Sequence, residues 1–155
     1  TKEYLCIIEK IRKFNPDIAI SGDFIVGFPG ETISDFKETI ALINEVKYSQ
    51  AYSFKFSQRP GTPASLMDNQ IDDEIKKSRL YEVQDILKKH QMEFNSKFLG
   101  KKINILLEKK GNNKNQFIGK SPWMQSVNIE KNNLQLGQIE NVEVKFCGQN
   151  SLRAI

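Results

Sequence analysis

The fold of the first half of the chain is decided by two segments, Ser21-Gly-Asp-Phe-Ile-Val-Gly-Phe-Pro-Gly-Glu-Thr32 and, about one helix later, Tyr52-Ser-Phe-Lys-Phe-Ser-Gln-Arg-Pro-Gly-Thr-Pro63. Each pattern predicts a β-strand that ends in a loop of glycine and proline. In parallel α/β proteins, the loops after the carboxyl ends of strands hold ligands. The two loops therefore predict one edge of a cofactor or substrate site.

Helical patterns alternate with these strands. Apolar residues at every third position over Leu5–Phe14 predict a first helix, and Thr32 with Asp35 has the spacing of a capping arrangement at the start of a second. The strands themselves are predicted at residues 18–26 and 50–56. The order is therefore α-β-α-β, which is typical of a parallel sheet.

Two parallel strands need further strands at their edges and helices over their faces. Residues 18–26 are almost continuously apolar, a pattern typical of a strand that is buried on both faces. A long charged helix from Asp72 to about Phe94 is expected to close the α/β part. We expect the remaining strands to come from sequence before Thr1 or from a partner chain.

After Lys101 the apolar pattern changes from helical to alternating, and it predicts five short strands. Gly111-Asn-Asn-Lys-Asn115 supplies turn residues between the first two. Five strands in about 55 residues are typical of a small closed or partly open barrel of the oligonucleotide-binding type. The stretches are Ile103–Leu107, Gln116–Ile118, Val127–Ile129, Ile139–Phe146 and Ser151–Ile155.

The charge of the chain is unevenly distributed. Residues 1–92 hold 13 Lys and Arg against 14 Asp and Glu, and residues 93–155 hold 10 against 5, so the basic excess that gives the net charge of +4 lies in the last 63 residues. A small basic module is typical of a polyanion binder, although solubility alone also accounts for a charge of this size. No apolar run is long enough to span a bilayer, and two widely separated cysteines fit a reducing, cytoplasmic setting.

Asp23 and Arg59 are the polar candidates at the predicted edge of the sheet. A carboxylate within an apolar strand is costly to bury unless it meets a donor, which for Asp23 is a ribose hydroxyl, an amine, an Arg or the backbone. The guanidinium of Arg59 suits a carboxylate or phosphate, or anchors its own turn.

Cations and aromatic residues are interleaved in the basic module, as a surface that stacks bases and follows phosphates requires. Trp123 is the strongest candidate for stacking, and its alternative role is to fill the barrel. Phe117 is a second aromatic candidate. The candidate cations are Lys109, Lys110, Lys114 and Lys120.

The strings Asp23-Phe-Ile-Val-Gly-Phe-Pro-Gly-Glu-Thr32 and Ser57-Gln-Arg-Pro-Gly-Thr-Pro-Ala64 resemble, in order and separation, the late barrel strands of the radical SAM methylthiotransferases. Asn15-Pro-Asp-Ile-Ala19, Gly119-Lys-Ser-Pro-Trp-Met-Gln-Ser-Val127 and Gly148-Gln-Asn-Ser-Leu152 extend the resemblance over essentially the whole chain. Within the family, the likeness is strongest to the members that add a methylthio group to isopentenyl-adenosine beside the anticodon of tRNA.

The resemblance implies an α/β fold in which residues 1–92 form the last strands and helices of a partial TIM-like radical SAM barrel. Residues 93–155 would be the RNA-binding TRAM domain, a five-stranded antiparallel β-barrel similar to the OB fold. The family uses S-adenosyl-L-methionine (SAM) and two four-iron four-sulfur clusters, and neither set of cluster cysteines is present here. The chain is therefore expected to be a C-terminal portion that is inactive by itself.

The resemblance also implies roles for particular residues and partners. Asp23, Ile25 and Phe28 would line the pocket near SAM or the target base, and Arg59 would make a polar contact at the barrel mouth. Expected partners are tRNA and donors of sulfur and electrons, with no membrane and a monomeric protein. Two alternatives remain at this point: a free-standing RNA-binding adaptor, and the related enzyme that methylthiolates an aspartate of a ribosomal protein.

Overall fold

A computed structural model describes residues 1–113 and 115–155 of the chain. It contains two compact units, Thr1–His90 and Gln91–Ile155. The first unit is α/β and the second is a β-barrel, as the sequence predicts. No helix in the described ranges is both long and apolar enough to cross a membrane.

The elements of the first unit follow the predicted α-β-α-β order. After Thr1 the chain forms α1 (Lys2–Phe14), β1 (Ser21–Val26), α2 (Ile33–Val46), β2 (Gln50–Lys55), a short 3-10 helix (Pro63–Leu66) and α3 (Asp73–Ser96), which continues into the second unit. The predicted capping box of α2 is present. Thr32 N donates to Asp35 Oδ2 at 2.8 Å and Asp35 N donates to Thr32 Oγ1 at 3.2 Å, and the hydrogen bonds from Thr32 hold the pKa of Asp35 below its ordinary value.

β1 and β2 form a parallel pair in which Asp23 lies opposite Tyr52 and Ile25 opposite Phe54. Since side chains alternate along a strand, these four residues share one face of the sheet. The opposite face, which includes Phe24 and Val26, contributes to a core with α1, α2 and α3. That core is built around Ile8, Val26, Phe36, Ile43, Val46, Tyr48, Val83 and Leu87.

The face that carries Asp23 is uncovered within the described residues. Ile25, Tyr52 and Phe54 are each more than half exposed, at 60, 57 and 55%. The expectation that β1 is buried on both faces is therefore wrong for this chain, because its three helices all pack on the other face. The two-stranded sheet has only half of the cover that a parallel sheet requires.

The second unit is a closed barrel of five strands in the order β3-β4-β5-β7-β6. The strands are β3 (Lys102–Lys110), β4 (Gln116–Lys120), β5 (Ser126–Glu130), β6 (Ile139–Cys147) and β7 (Ser151–Ala154). Their inward side chains fill the interior: Ile103, Ile105, Leu107, Phe117, Val127, Ile129, Val142, Val144, Leu152 and Ala154.

The barrel is mixed, and the expectation of a wholly antiparallel barrel is wrong for one strand pair. β5 and β7 are parallel, with Val127 opposite Leu152, and the other four pairs are antiparallel. The reason is geometric, because strand directions that alternate around a closed ring require an even number of strands. A closed ring of five strands must therefore contain at least one parallel pair.

Candidate functional site

The two Gly/Pro loops lie at the same edge of the sheet. β1 and β2 are parallel, so Gly27–Gly30 and the loop after Lys55 both follow carboxyl ends. The amide of Phe56 donates to the carbonyl of Val26 at 2.8 Å, and the ring of Phe56 meets that of Phe28 edge-on with centroids 5.2 Å apart. The sequence prediction of one common edge is confirmed.

A buried ion pair holds the first loop in place. Glu31 Oε2 accepts from the amide of Gly27 at 2.8 Å and pairs with the guanidinium of Arg79, whose Nη1 also donates to the Glu31 carbonyl at 3.1 Å. Both side chains are only 10% exposed. Gly27 and Gly30 have φ of 72° and 84°, which favours glycine, and a Cβ at Gly27 would clash with Lys76.

Sequence reasoning missed Arg79 as the partner of Glu31. It lies in a helix dense in Lys, Asp and Glu, where nothing in the local pattern distinguishes a buried Arg from a solvated one. Its pairing with Glu31, 48 residues away, depends on the packing of α3 beside α2. The pair fixes the loop backbone and leaves the loop's outer surface to other residues.

The structure brings three of the four predicted pocket residues onto β1 and its loop. Asp23 and Ile25 are exposed on the uncovered face, and Phe28 is 47% exposed at its carboxyl end. Asp23 is therefore not the buried carboxylate that the apolar strand suggested. Arg59 is exposed in the second loop, where its carbonyl accepts from the amide and hydroxyl of Thr62.

Tyr52 and Phe54 extend this surface, although neither was predicted as a site residue. Both are on the predicted strand and alternate with inward residues, so a period-2 pattern together with an uncovered face would have found them. The result is an apolar surface of Ile25, Tyr52 and Phe54 with one carboxylate, Asp23, at its side. Such a surface suits a flat ligand that also has a hydrogen-bond donor.

An ion pair lies at the end of β2. Lys55 Nζ donates to Asp73 Oδ1 at 2.8 Å, which holds the pKa of Asp73 below its ordinary value. No three His, Cys, Asp or Glu side chains within residues 1–113 and 115–155 are grouped so that they could hold a metal ion. Cys6 is exposed on α1. The described residues therefore do not fit the ligand set of an iron–sulfur cluster.

The predicted RNA-binding residues of the barrel have different surroundings. Lys109 and Lys110 are exposed at the end of β3, and Lys120 Nζ donates to the Met124 carbonyl at 3.2 Å. Lys114 lies outside the described residues. Phe117 is only 7% exposed, so it belongs to the core and is not available to stack on a base.

Trp123 remains partly exposed, with its ring 4.5 Å from that of Phe98. Three residues before Phe98, the buried side chain of Asn95 makes several hydrogen bonds that sequence reasoning missed. Its Nδ2 donates to the carbonyls of Gly148 and Gln149 at 2.8 Å each, and its Oδ1 accepts from Gln125 Nε2 at 2.7 Å. Asn95 therefore joins the two barrel motifs that carried the family resemblance.

Comparisons with known proteins match both the barrel and nearly the whole chain. The model of the TRAM domain family matches residues 96–155. Proteins named tRNA-2-methylthio-N(6)-dimethylallyladenosine synthase are similar over nearly the whole chain. The one from Agrobacterium fabrum is 50% identical over 153 residues, and the one from Sphingopyxis alaskensis is 48% identical over 153.

A third protein of this name, from Zymomonas mobilis subsp. mobilis, is 49% identical over 152 residues. The matches cover 98 to 99% of this chain and 34% of each relative, so the chain spans about a third of the length of the curated relatives it matches. By its sequence, nearly the whole chain is similar to the C-terminal part of proteins named tRNA-2-methylthio-N(6)-dimethylallyladenosine synthase, and its residues 96–155 match the TRAM domain family.

Proposed function

We propose that the chain is the C-terminal part of an enzyme that adds a methylthio group to C2 of isopentenyl-adenosine beside the anticodon of tRNA. The observation that carries the proposal is the uncovered apolar face of the sheet, which ends at two glycine loops on one edge. Identity of about one half to proteins with this activity in their names supports it. Residues 1–92 would complete a radical SAM barrel whose other strands lie elsewhere in the protein.

The surface of the first unit fits one wall of a nucleoside site. Ile25 and Phe28 present apolar groups that would contact an adenine ring and exclude water, and Asp23 would accept a hydrogen bond from a ribose hydroxyl or an amine. Arg59 would bind a carboxylate or a phosphate at the mouth. SAM, together with two four-iron four-sulfur clusters held by residues outside this chain, would supply the radical chemistry and the methylthio group.

The barrel would hold the tRNA. Residues 93–155 carry a net charge of +5, and Lys109 and Lys110 are exposed cations at the end of β3. Phosphate contacts from such lysines give most of the affinity of a nucleic-acid binder and make it salt-dependent. Lys114, Lys120 and Trp123 would add to this surface. The protein would act as a monomer in the cytoplasm, with donors of sulfur and electrons as further partners.

Mass spectrometry of bulk tRNA nucleosides tests the proposal. A strain that lacks the gene should lose 2-methylthio-isopentenyl-adenosine and accumulate isopentenyl-adenosine, and the full-length gene should restore the methylthio product. Unchanged nucleosides in the deletion strain would contradict the proposal. A loss of methylthio-aspartate from a ribosomal protein in the same strain would instead favour the related protein-modifying enzyme.

Variants of the full-length gene test the assigned residues. Asp23→Ala and Arg59→Ala should lower the methylthio product more than they lower tRNA affinity. Ser21→Ala is the matched control, since Ser21 is exposed at the other end of the same strand. Normal product yield from both site variants, at normal expression, would remove Asp23 and Arg59 from the site.

A further inference from the structure

A β-bulge in β3 reverses the direction of one lysine. The register of β3 on β4 passes from Leu107 opposite Gly119 to Lys109 opposite Ile118, so β3 has one residue more than its partner there. Residues 103, 105 and 107 point into the barrel, and simple alternation would send Lys109 inward as well. The extra residue turns Lys109 outward, where it is exposed.

A second bulge, in β6, does the same for an aromatic residue. The register of β6 on β7 passes from Val144 opposite Ala154 to Phe146 opposite Arg153. Val144 is fully buried, and alternation alone would place Phe146 in the same interior. The bulge instead puts the Phe146 ring on the outside, where it is 48% exposed.

The two bulges lie at the two ends of one row of neighbouring strand positions. The row, which we call the outer row, consists of outward residues that are paired in register across five strands: Lys109, Ile118, Asn128, Arg153 and Phe146. Four spacings of about 4.8 Å make it about 19 Å long. Bulges often redirect a side chain at a functional surface, and here both redirected side chains are in the same row.

The chemistry of the outer row suits a nucleobase. The guanidinium of Arg153 lies over the Phe146 ring, 4.1 Å from its centroid, and in the described residues it has no carboxylate partner. The carboxylate of Glu130 accepts a hydrogen bond from Asn113 Nδ2 at 3.3 Å, and the carboxylate of Glu143 forms an ion pair with Lys145. A depression of about 220 Å³ beside Arg153 is lined by Asn128, Gln116 and Glu130, among others.

We propose that the outer row binds an unpaired segment of RNA. A base stacks on the Arg153–Phe146 pair, Asn128 hydrogen-bonds a base edge, and Lys109 binds a phosphate. The positive charge of this unit favours a polyanion over a neutral peptide. The stacked Arg153–Phe146 pair favours RNA over an acidic peptide, because stacking on aromatic and guanidinium planes is the usual way in which proteins hold single-stranded bases. The inference rests on the proposed tRNA function and deepens it.

Affinity measurements on the full-length protein test the outer row. The equilibrium constant for a fluorescent anticodon stem-loop is measured at several salt concentrations for Arg153→Lys, Phe146→Leu and Lys109→Gln. The first two keep the charge of the surface but lose stacking, so affinity should fall at least fivefold with an unchanged salt slope. Lys109→Gln removes one phosphate contact to a single strand, so it should reduce the slope of log affinity against log salt by about 0.7.

Lys131→Gln is the matched control, because the charge of Lys131 is already paired with Glu140 at 3.0 Å. It should stay within twofold of the wild type. If Arg153→Lys and Phe146→Leu also bind within twofold of the wild type, with normal circular dichroism, stacking at the row is refuted. This result together with a normal methylthio nucleoside would refute the row and leave the proposed function intact.

A photo-crosslink gives an independent readout that needs no loss of affinity. Benzoyl-phenylalanine in place of Phe146 should crosslink to the loop nucleotides of the bound tRNA, and the same residue in place of Ile139, which is also exposed on β6, should crosslink less. A crosslink to protein alone, or none to RNA, would overturn the proposal. If the deletion strain keeps its methylthio nucleoside, the proposed function fails while this crosslink can still be scored.

Discussion

Removal of the Glu31 side chain should destabilise the first unit strongly. In Glu31→Ala, the Gly27 amide loses its acceptor and Arg79, only 10% exposed, loses its carboxylate. Hydrogen bonds to charged groups contribute about 1.5–3 kcal/mol each, so two give about 3–6 kcal/mol. Breaking a buried ion pair by removing one partner costs about 3–5 kcal/mol.

Two contacts place the expected value at the lower end of this range. Arg79 keeps its hydrogen bond to the carbonyl of residue 31, at 3.1 Å, and its guanidinium lies 5.3 Å from the centroid of the Phe36 ring. We therefore expect a loss of about 3 kcal/mol in the free energy of unfolding. With a urea m-value of about 2 kcal/mol/M, this lowers the unfolding midpoint by about 1.5 M.

Urea unfolding followed by far-ultraviolet circular dichroism measures the change. Asp85→Ala is the control, since it breaks an ion pair with Lys89 on the same helix α3 whose side chains are 65 and 68% exposed. That variant should differ from the wild type by less than about 1 kcal/mol. A loss below 1 kcal/mol for Glu31→Ala would refute the view that this pair anchors the loop.

Three further predictions concern the two units. Asn95→Ala leaves the carbonyls of the half-buried Gly148 and Gln149, and the amide of Gln125, without their partner, so the barrel should lose about 2–4 kcal/mol in thermal unfolding of the second unit. A change under about 1 kcal/mol would contradict this. Phe54→Ser should reduce the binding of a hydrophobic dye and the self-association of the isolated chain, measured by fluorescence and light scattering, because it removes an exposed ring from the uncovered face. No change in either measurement would mean that this face does not drive association. Burial and the hydrogen bond with Tyr4 raise the pKa of Tyr48 above its ordinary value, so the contribution of the neutral Tyr48 side chain to stability is complete below pH about 10 and is lost as the pH rises further. Tyr48→Phe should therefore reduce the loss of stability at alkaline pH in unfolding curves, and an unaltered pH dependence would argue against this role.

The order of elements could be predicted because local patterns determine it. The capping box at Thr32, the helical period before Phe14 and the alternation after Lys101 each depend on near neighbours in the chain. The common edge of the two loops also followed, since parallel strands leave no other arrangement. The five-stranded barrel of the second unit followed from five alternating stretches, and its parallel pair follows from the odd number of strands.

The remaining features depend on contacts between distant residues. The pairing of Glu31 with Arg79 and the hydrogen bonds of Asn95 join positions 30 to 54 residues apart. Each bulge moves the residues that follow it to the other face of the strand, and no residue type in β3 or β6 indicates where the bulge lies. The exposure of Asp23 depended on which face the helices cover, which the apolar pattern of β1 does not reveal.

The uncovered face also bears on the choice between an enzyme part and an RNA-binding adaptor. A scaffold whose only task is to carry a TRAM domain gains nothing from exposed apolar side chains, and a bare apolar face promotes association. Ile25, Tyr52 and Phe54 are exposed together on the face that ends at the two glycine loops, whereas the opposite face is well packed. An enzyme barrel explains this combination, because its interior needs apolar walls and its rim needs glycine loops for the ligand. If the complete protein bound tRNA normally but left it unmodified, and polar residues at 25 and 54 changed neither its stability nor its activity, the adaptor would be the better explanation.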